Sequence, residues 1–377
     1  MIQNGLTPSY DLVGDLFRWI CFKHDPAWTR RQKYQLLEHH ESPQALIDWY
    51  DPHYENSTLN ASQSSALKKA AEFLRASNHH CLVLGQTNYP PLLAQIADPP
   101  FVLYAIGDIS LLVAPCIAMV GSRRPTQLGV NSTQAFASQL ASMGITTVSG
   151  MALGVDGYAH EATLCASGST IAVLACGADV VYPARHRALY QRIAKRGLVL
   201  SEYPPGTSAL PFRFPERNRL VSGLSLGTLI IEAADKSGTL ITARYCIEHN
   251  RDLFVVPGSL QSAQYEGSHR LIQQGAYLAT NANDIVSVLA SELSEQISVF
   301  RKSSDLDLEI LDISLAERTV LNLLRRETMS TDMIVKEAGL SVATVSAALL
   351  NLELEGLAGR AQDGQFHAIS QGHGNCC

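Results

Sequence analysis

Short apolar runs alternate with segments of helical spacing through the central part of the chain. The apolar runs occupy residues 117–120, 145–148, 170–175, 198–201, 228–232, 253–256 and 277–279. The segments between them place apolar residues three and four apart and lie at about 129–143, 155–166, 186–195, 215–223, 238–249 and 266–274. Strands that are apolar throughout and alternate with helices are buried on both faces of a mostly parallel sheet. The pattern predicts a Rossmann-like, doubly wound α/β domain.

The chain before this domain has a helical pattern. Four segments of helical spacing, at 12–22, 30–39, 43–50 and 61–76, are separated by breaks that carry Pro or Asn. They predict a small helical bundle that serves in packing or oligomer contact. Residues 82–108, with two Pro-Pro turns between short apolar runs, are expected to attach to one edge of the sheet.

The chain after this domain begins with the polar segment 295–314, which has no sustained period and is predicted to be a linker. Three helical segments follow, at 315–325, 330–337 and 342–355, with Ser330 and Ser341 as N-caps of the last two. A hairpin over 357–369, turned at Asp363-Gly364, completes the order of a winged helix. We therefore predict a helical domain at 1–80, the α/β domain at 81–294, the linker, and a winged helix at 315–377.

The loop Gly121-Ser122-Arg123-Arg124 follows the first apolar run of the α/β domain. Ligands of such sheets bind beyond the carboxyl ends of the strands, where loops present N–H groups at helix N-termini. The loop lacks the Gly-Lys-Ser/Thr of a Walker A motif and the G-x-G-x-x-G fingerprint. Its hydroxyl, its N–H groups and its two guanidinium groups favour a phosphate site over a turn with solvated arginines.

The second loop, Ser149 to His160, places Asp156 and His160 four residues apart on one helix face. The pair suits a general acid and base or two metal ligands, but a third ligand and a nucleophile are both missing. A structural cap with a hydrogen-bonded histidine explains the pair at least as well. We expect neither a metal site nor a cofactor.

The segment Phe212 to Arg219 combines three arginines, an asparagine and two phenylalanines around a proline. Aromatic rings stack on bases while guanidinium groups hold the backbone, a combination typical of single-strand binding. Arginines alone would indicate a solvated face. Residues 232–239, EAADKSGT, follow another apolar run and open a helix. They fit either a second phosphate cradle with Lys236 or a capping turn, and the sequence leaves both open.

The formal net charge of −6 by itself disfavours a nucleic-acid partner, but the basic residues are concentrated. Residues 185–219 hold eight basic and two acidic residues, a net charge of +6. Residues 300–377 carry a net charge of −4, and the third helix of the winged helix has neither Lys nor Arg. A major-groove reader normally carries such side chains. We therefore expect the α/β domain to bind nucleic acid and the winged helix to contact protein.

The eight cysteines are scattered or terminal, which predicts reduced, buried thiols rather than a disulfide framework, with Cys376-Cys377 an incidental tail. No apolar run reaches the length of a membrane span, and the first residues lack the order of a signal peptide. We expect a cytoplasmic protein.

Together these residues resemble the DNA-processing protein A family, also called DprA or Smf. The resemblance lies in VGSRRPT at 120–126, SGMALGVDGYAH at 149–160, TIAVLACGADVVYP at 170–183, LSEYPPG at 200–206, FPERNRLVSGLS at 214–225, EAADKSGTLITAR at 232–244, VVPG at 255–258 and GSHRLIQQGA at 267–276. It covers nearly all of the α/β domain in order. The flanking regions resemble a sterile-alpha-motif (SAM-like) fold and a winged helix.

The resemblance implies a homodimeric protein, not an enzyme, that binds single-stranded DNA, protects it from nucleases and helps to load RecA during natural transformation and recombination. Carried over by motif, it implies that the DNA-binding residues are Gly121, Ser122, Arg123, Arg124, Arg185, Phe214, Arg217, Asn218, Arg219, Lys236, Ser237, Gly238 and Thr239. Position 185 is often lysine in the family, and arginine keeps the charge with a different geometry.

Two other functions stay open. Related Rossmann proteins, the nucleotide phosphoribohydrolases, cleave a glycosidic bond with a glutamate and an arginine beside a glycine-rich loop, and Glu232 with Ser-Gly-Thr is similar to that site. The double-glycine loop ahead of the catalytic helix is absent here. The third hypothesis is a transcription factor that uses the winged helix, which requires duplex binding by residues 315–377 alone.

Overall fold

The computed structural model describes residues 10–54, 60–294, 296, 314–326, 328–354, 357–360 and 365–368. The chain divides into two compact units, Met1–Ile297 and Ser298–Cys377. The residues expected to form the helical bundle and the α/β domain both lie in the first unit, and the winged helix lies in the second.

Four helices precede the sheet of the first unit: α1 (Tyr10–Lys23), α2 (Arg30–His39), α3 (Pro43–Tyr54) and α4 (Ala61–Phe73). Thr29 and Gln32 form a capping box at the start of α2, and Asn60 and Gln63 form another at the start of α4. Each box satisfies backbone N–H groups that have no partner within the helix. The helical pattern of the sequence therefore gives four helices at the expected places.

Within the described part of the first unit, nine strands form one sheet. They are β1 (His79–Val83), β2 (Val102–Gly107), β3 (Cys116–Val120), β4 (Thr146–Ser149), β5 (Thr170–Val173), β6 (Leu198–Ser201), β7 (Gly227–Ile230), β8 (Asp252–Val255) and β9 (Tyr277–Leu278). Their order is β1-β2-β6-β5-β4-β3-β7-β8-β9. In this order the strands from β6 to β9 are parallel, whereas β2 runs antiparallel to both of its neighbours, β1 and β6. The predicted Rossmann-like, mostly parallel sheet is confirmed.

Helices follow the strands and cover both faces of the sheet. They are α5 (Pro91–Ala94), α6 (Gln127–Ser142), α7 (Val155–Cys165), α8 (Arg187–Arg196), α9 (Arg213–Gly223), α10 (Thr239–Glu248), α11 (Glu266–Gln273) and α12 (Ala282–Val288). Alternate residues of β3 enter two different cores, Ala118 on one face and Met119 on the other. Helix α9 begins at Arg213, two residues before the predicted start, so Phe214 lies in its first turn.

The helical bundle shares a hydrophobic core with the antiparallel edge of the sheet. Trp19 of α1 is 1% exposed, and its ring stacks on Phe101 with 5.3 Å between centroids. Phe22 meets both rings edge-on. Because aromatic rings carry much of the apolar area of a core, this cluster joins the bundle to the sheet.

The second unit contains α13 (Leu315–Arg326), α14 (Thr331–Ala338) and α15 (Val342–Leu354), followed by the antiparallel pair β10 (Ala358–Arg360) and β11 (Phe366–Ala368). Ser330 and Ser341 accept N–H groups at the starts of α14 and α15, as predicted. The order of the predicted winged helix is confirmed. The turn at Asp363-Gly364 and nearly all of the linker 295–314 lie outside the described residues.

The described cysteines are free thiols. Cys21, Cys116, Cys176 and Cys246 are buried and Cys81 is half-buried, but Cys165 is exposed, so the expectation of burial is wrong there. The terminal pair Cys376-Cys377 lies outside the described residues.

In the described ranges, no single helix is long and apolar enough to cross a membrane. Helices α14 and α15 meet the length and composition criteria only as a joined pair, which is bent by 114°. The same ranges hold no cluster of three or more His, Cys, Asp or Glu side chains placed to bind a metal ion.

Replacing Trp19 by alanine should lower the free energy of unfolding of the first unit by about 3–5 kcal/mol, because the substitution leaves a cavity between α1 and Phe101. Differential scanning calorimetry of the full chain would measure the shift of the main transition. Leu74→Ala, at an exposed position, is the control. Separate early melting of the helices with an unchanged main transition would contradict the shared core.

Candidate nucleic-acid interface

A cavity of about 370 Å³ opens at the carboxyl ends of the central strands, and we call it the switch-point cavity. Its walls are the loops after β3 and β4 and the starts of α9 and α10. Strand β3 pairs with β4 on one side and with β7 on the other. Successive strands are therefore added to the sheet in one direction from β3 to β6 and in the opposite direction from β7 to β9. Ligands of doubly wound folds bind at this place.

The loop after β3 is folded by its own serine. The Ser122 hydroxyl accepts the N–H of Arg124 at 3.1 Å, and the side chains of Arg123 and Arg124 are exposed. Gly121, Ser122 and Arg123 line the cavity, whereas Arg124 does not. A wall made of loop backbone, a hydroxyl and a guanidinium suits an anion.

The loop after β4 packs directly on this first loop. Val155 donates its N–H to the carbonyl oxygen of Ser122 at 3.1 Å. Gly154 has a φ of +85°, and a Cβ at this position would lie 2.3 Å from the same oxygen. Glycine is therefore required for the two loops to approach this closely.

Phe214 forms an aromatic and cationic cluster at the cavity. The guanidinium of Arg123 lies over its ring, 5.5 Å from the centroid. The ring of Tyr182, which is 47% exposed, also contacts Phe214, with 5.5 Å between the two ring centroids. The site residues predicted from the sequence do not include Tyr182; its only signal was the Tyr-Pro turn just before Arg185. The cluster combines ring faces with a fixed positive charge.

Arg217 lines the cavity and is only 3% exposed. Its guanidinium donates to the carbonyl oxygens of Gly150 and Val173, and its Nε donates to Oδ1 of Asn218 at 3.3 Å. Burial lowers the pKa of Arg217, and the carboxylate of Asp156 opposes this shift. Arg217 therefore binds α9 to the ends of two strands as well as bringing a positive charge to the cavity.

Asp156 and His160 form hydrogen bonds with different partners. The Asp156 carboxylate accepts the N–H groups of Gly150 and Ala152 at 3.2 Å each, and burial raises its pKa while Arg217 opposes the shift. His160 is buried, and its Nδ1 bonds to the Thr170 hydroxyl at 2.7 Å. Burial lowers the pKa of His160 to about 3. The structural interpretation of this pair is the one that the contacts support.

Arg219, which was predicted to complete the pocket, does not line the cavity. The side chain is 2% exposed, its Nε lies 3.1 Å from Asp98, and it also bonds to Glu202. Residues two apart on a helix point about 200° apart, so Arg217 and Arg219 face opposite sides of α9. Asn218, next to Arg217, does line the cavity.

The end of the segment 232–239 forms a turn at the start of α10 and part of the cavity wall. Ser237 Oγ accepts the N–H of Thr239, the first residue of α10, at 3.2 Å, and Gly238 occupies the N-cap position. Ser237, Gly238 and Thr239 line the cavity. The remaining predicted cations, Arg124, Arg185 and Lys236, are exposed on loops after β3, β5 and β7 and lie outside the cavity wall.

Glu232 holds the start of α6. Its buried carboxylate accepts the N–H and the hydroxyl of Thr126 at 3.1 and 2.7 Å. A Cβ at Gly129 would lie 2.7 Å from the same carboxylate. Glu232 does not line the switch-point cavity.

Gly154→Ala should destabilise the protein by more than about 2 kcal/mol, because it adds a collision with the Ser122 carbonyl to a strained backbone. Gly144→Ala is the matched control: its φ is +73°, yet no atom lies within 4 Å of the added Cβ. That control should cost only about 1 kcal/mol. Thermal melting of both variants measures the difference, and equal losses would contradict the loop contact.

The chain is similar to proteins of known family. The family model described as DNA recombination-mediator protein A matches residues 80–290, and the model of the DprA winged helix domain matches residues 309–364. Protein Smf of Escherichia coli (strain K12) is 36% identical over 285 residues, which are 75% of this chain and 76% of that protein. DNA processing protein DprA of Streptococcus pneumoniae is 42% identical over 199 residues, which are 53% of this chain and 70% of that protein.

Two solved structures share the fold. That of DprA from Streptococcus pneumoniae has a TM-score of 0.57 at 32% identity and covers 73% of this chain and 92% of that one. That of DprA from Helicobacter pylori, described for its single-stranded DNA binding mode, has a TM-score of 0.52 at 35% identity and covers 57% of this chain and 96% of that one. With both family models matched in order, the chain belongs to the DNA-processing protein A (DprA/Smf) family.

Proposed function

We propose that the chain binds single-stranded DNA in the switch-point cavity. The observation that carries this proposal is the cluster of Phe214, Tyr182 and Arg123 at a cavity walled by anion-binding loops. Single-strand sites combine aromatic rings that stack on bases with cations that hold the backbone. The related Helicobacter pylori protein is described as binding single-stranded DNA, which supports the same class of ligand.

The two parts of a nucleotide are held by different walls. The rings of Phe214 and Tyr182 stack on the base. The loop Gly121 to Arg123, the start of α10 at Ser237 to Thr239, and the buried charge of Arg217 hold the phosphate. Asn218 donates from the side of α9, while Arg124, Arg185 and Lys236 attract the strand from outside the cavity.

An unpaired strand is the ligand that this arrangement selects. In a duplex the faces of the bases are stacked on one another, so a ring in the protein reaches a base face only in a single strand. Residues 300–377 carry a net charge of −4, and α15 has no Lys or Arg, which supports a protein contact for the winged helix and not duplex recognition.

The family supports a wider role for this binding. The protein acts in the cytoplasm as a homodimer that protects incoming single-stranded DNA and assists RecA loading in natural transformation and recombination. The exposed side chains of Tyr277 and Leu278 on the edge strand β9 support dimer formation there, because edge strands are open to pairing.

The protein works by binding and not by catalysis. In the described wall of the switch-point cavity, two polar side chains hold loops: Ser122 accepts a backbone N–H and Asp156 accepts two. A nucleophile paired with a base is the usual requirement for hydrolysis. Incubation with nucleoside monophosphates should therefore release no free base, which chromatography would measure.

Fluorescence anisotropy at two salt concentrations should show that labelled single strands bind more tightly than duplexes of the same sequence. The double variant Arg123→Ala/Arg124→Ala should weaken single-strand binding by about ten-fold or more and reduce the salt slope by about two, because each arginine releases counterions from the strand. Its melting temperature should stay nearly unchanged, since exposed loop charges contribute little to stability.

The matched control is Lys195→Ala/Arg196→Ala, which removes two exposed cations at the far end of α8. This control should retain most of the affinity. Equal loss in both double variants would indicate binding by overall charge instead of by the cavity. Preference for duplex would refute the proposed function.

A further inference from the structure

A second cavity of about 330 Å³ lies between the helical bundle and the loop after β6. We call it the second cavity; Lys23, Arg30, Tyr34, Phe101 and Tyr203 are among the residues that line it. Its size falls in the range of ordinary small-ligand sites. None of the site residues predicted from the sequence belongs to it.

Aromatic rings form one wall of the second cavity. Tyr34 stacks on Phe101 with 4.9 Å between centroids and 27° between planes. The guanidinium of Arg30 lies 5.9 Å from the Tyr34 ring, and that side chain is 50% exposed. Tyr203 lines the cavity from the loop after β6, and its hydroxyl donates to Glu216 at 3.0 Å. The wall suits a flat ring.

The cations Lys23 and Arg30 and the carboxylates Glu202 and Glu216 also line the second cavity. Lys23 donates to the carbonyl oxygen of Glu202 at 2.6 Å, and among the described residues no carboxylate lies within ion-pair distance of its ammonium. The Glu202 carboxylate is bonded to Arg219 instead. Burial lowers the pKa of Lys23 to about 8, with Glu202 opposing the shift. A bound anion would supply the counter-charge that this ammonium lacks.

Arg30 is less free, because it lies 3.1 Å from Asp98 and 4.0 Å from Glu216. Lys33, which is 5% exposed, donates to the carbonyl oxygens of Lys23 and Asp25 and so fixes the end of α1. Lys23 is therefore the main anion-binding group, and Arg30 is the second.

We propose that the second cavity binds a nucleotide unit, with the base against Tyr34 and Tyr203 and the phosphate on Lys23 and Arg30. Two ligands contain such a unit: the strand held in the switch-point cavity, or a free mononucleotide. The first case rests on the proposed function, and the second does not.

Helix α9 connects the two cavities. Phe214, Arg217 and Asn218 face the switch-point cavity, whereas Glu216 lines the second cavity. A helix turns about 100° per residue, so these two sets occupy opposite sides of its first turns. In the first case of the proposal, a strand that passes over the start of α9 enters both cavities, and the helical bundle is part of the DNA site.

The test uses the full chain with Lys23→Gln and Arg30→Gln. Calorimetric titration with dAMP measures the free mononucleotide. Anisotropy with labelled strands of about 6 and about 20 nucleotides measures the strand, since the short one fills a single site. Lys68→Gln, an exposed lysine of α4 that lines neither cavity, is the matched control. Melting curves verify that each variant is folded. If the Lys23 variant does not fold, the variant at the half-exposed Arg30 is the test.

We expect both variants to weaken one ligand by about five-fold or more. If Lys23→Gln and Arg30→Gln weaken dAMP binding and Arg123→Ala/Arg124→Ala does not, the ligand of the second cavity is a free mononucleotide. Weaker binding of the long strand, with the short strand unchanged, identifies a nucleotide of the strand. Unchanged binding of both ligands, or dAMP binding lost only in the Arg123/Arg124 variant, overturns the proposal. Failure of the wild type to bind any strand refutes the proposed function, and the dAMP titration then decides the second cavity.

Discussion

The buried guanidinium of Arg217 is the interaction on which the switch-point cavity depends. It joins α9 to the carbonyl groups at the ends of β4 and β5, with Asp156 as the nearby opposite charge. A buried charge costs free energy unless hydrogen bonds and a counter-charge compensate it, so this side chain fixes one arrangement of three segments. Asp156 uses the same loop to accept two N–H groups. The positions of Phe214 and Asn218 on α9 follow from this anchoring.

Much of the fold could be predicted because the parallel strands are apolar along their length and the helices have clear periods. The predicted helices and strands of the α/β domain match the observed ones to within a few residues. The union of the helical bundle with the sheet edge could not be predicted, because the contact of Trp19 with Phe101 joins residues far apart in sequence. Periodicity describes each element and contains no information about which elements share a core.

The sequence indicates which loops form the candidate site more reliably than which of their residues line it. Ser122, Arg123, Phe214 and the Ser237 turn line the cavity. Arg219 and Glu232 are buried in structural contacts instead, because a count of charges does not distinguish an internal ion pair from a surface. Tyr182 was missed because a single tyrosine in a turn carries no periodic signal.

The strand order also determines when the cavity can exist. Its walls come from Ser122 and from Thr239, which meet because β3 pairs with β7. A chain still emerging from the ribosome completes β3 to β6 first, and β3 is then an edge strand with unpaired backbone groups. Such edges favour pairing with other chains, and long-range parallel pairing is slow. The complete cavity and protection of that edge therefore form in the same folding step, when β7 docks.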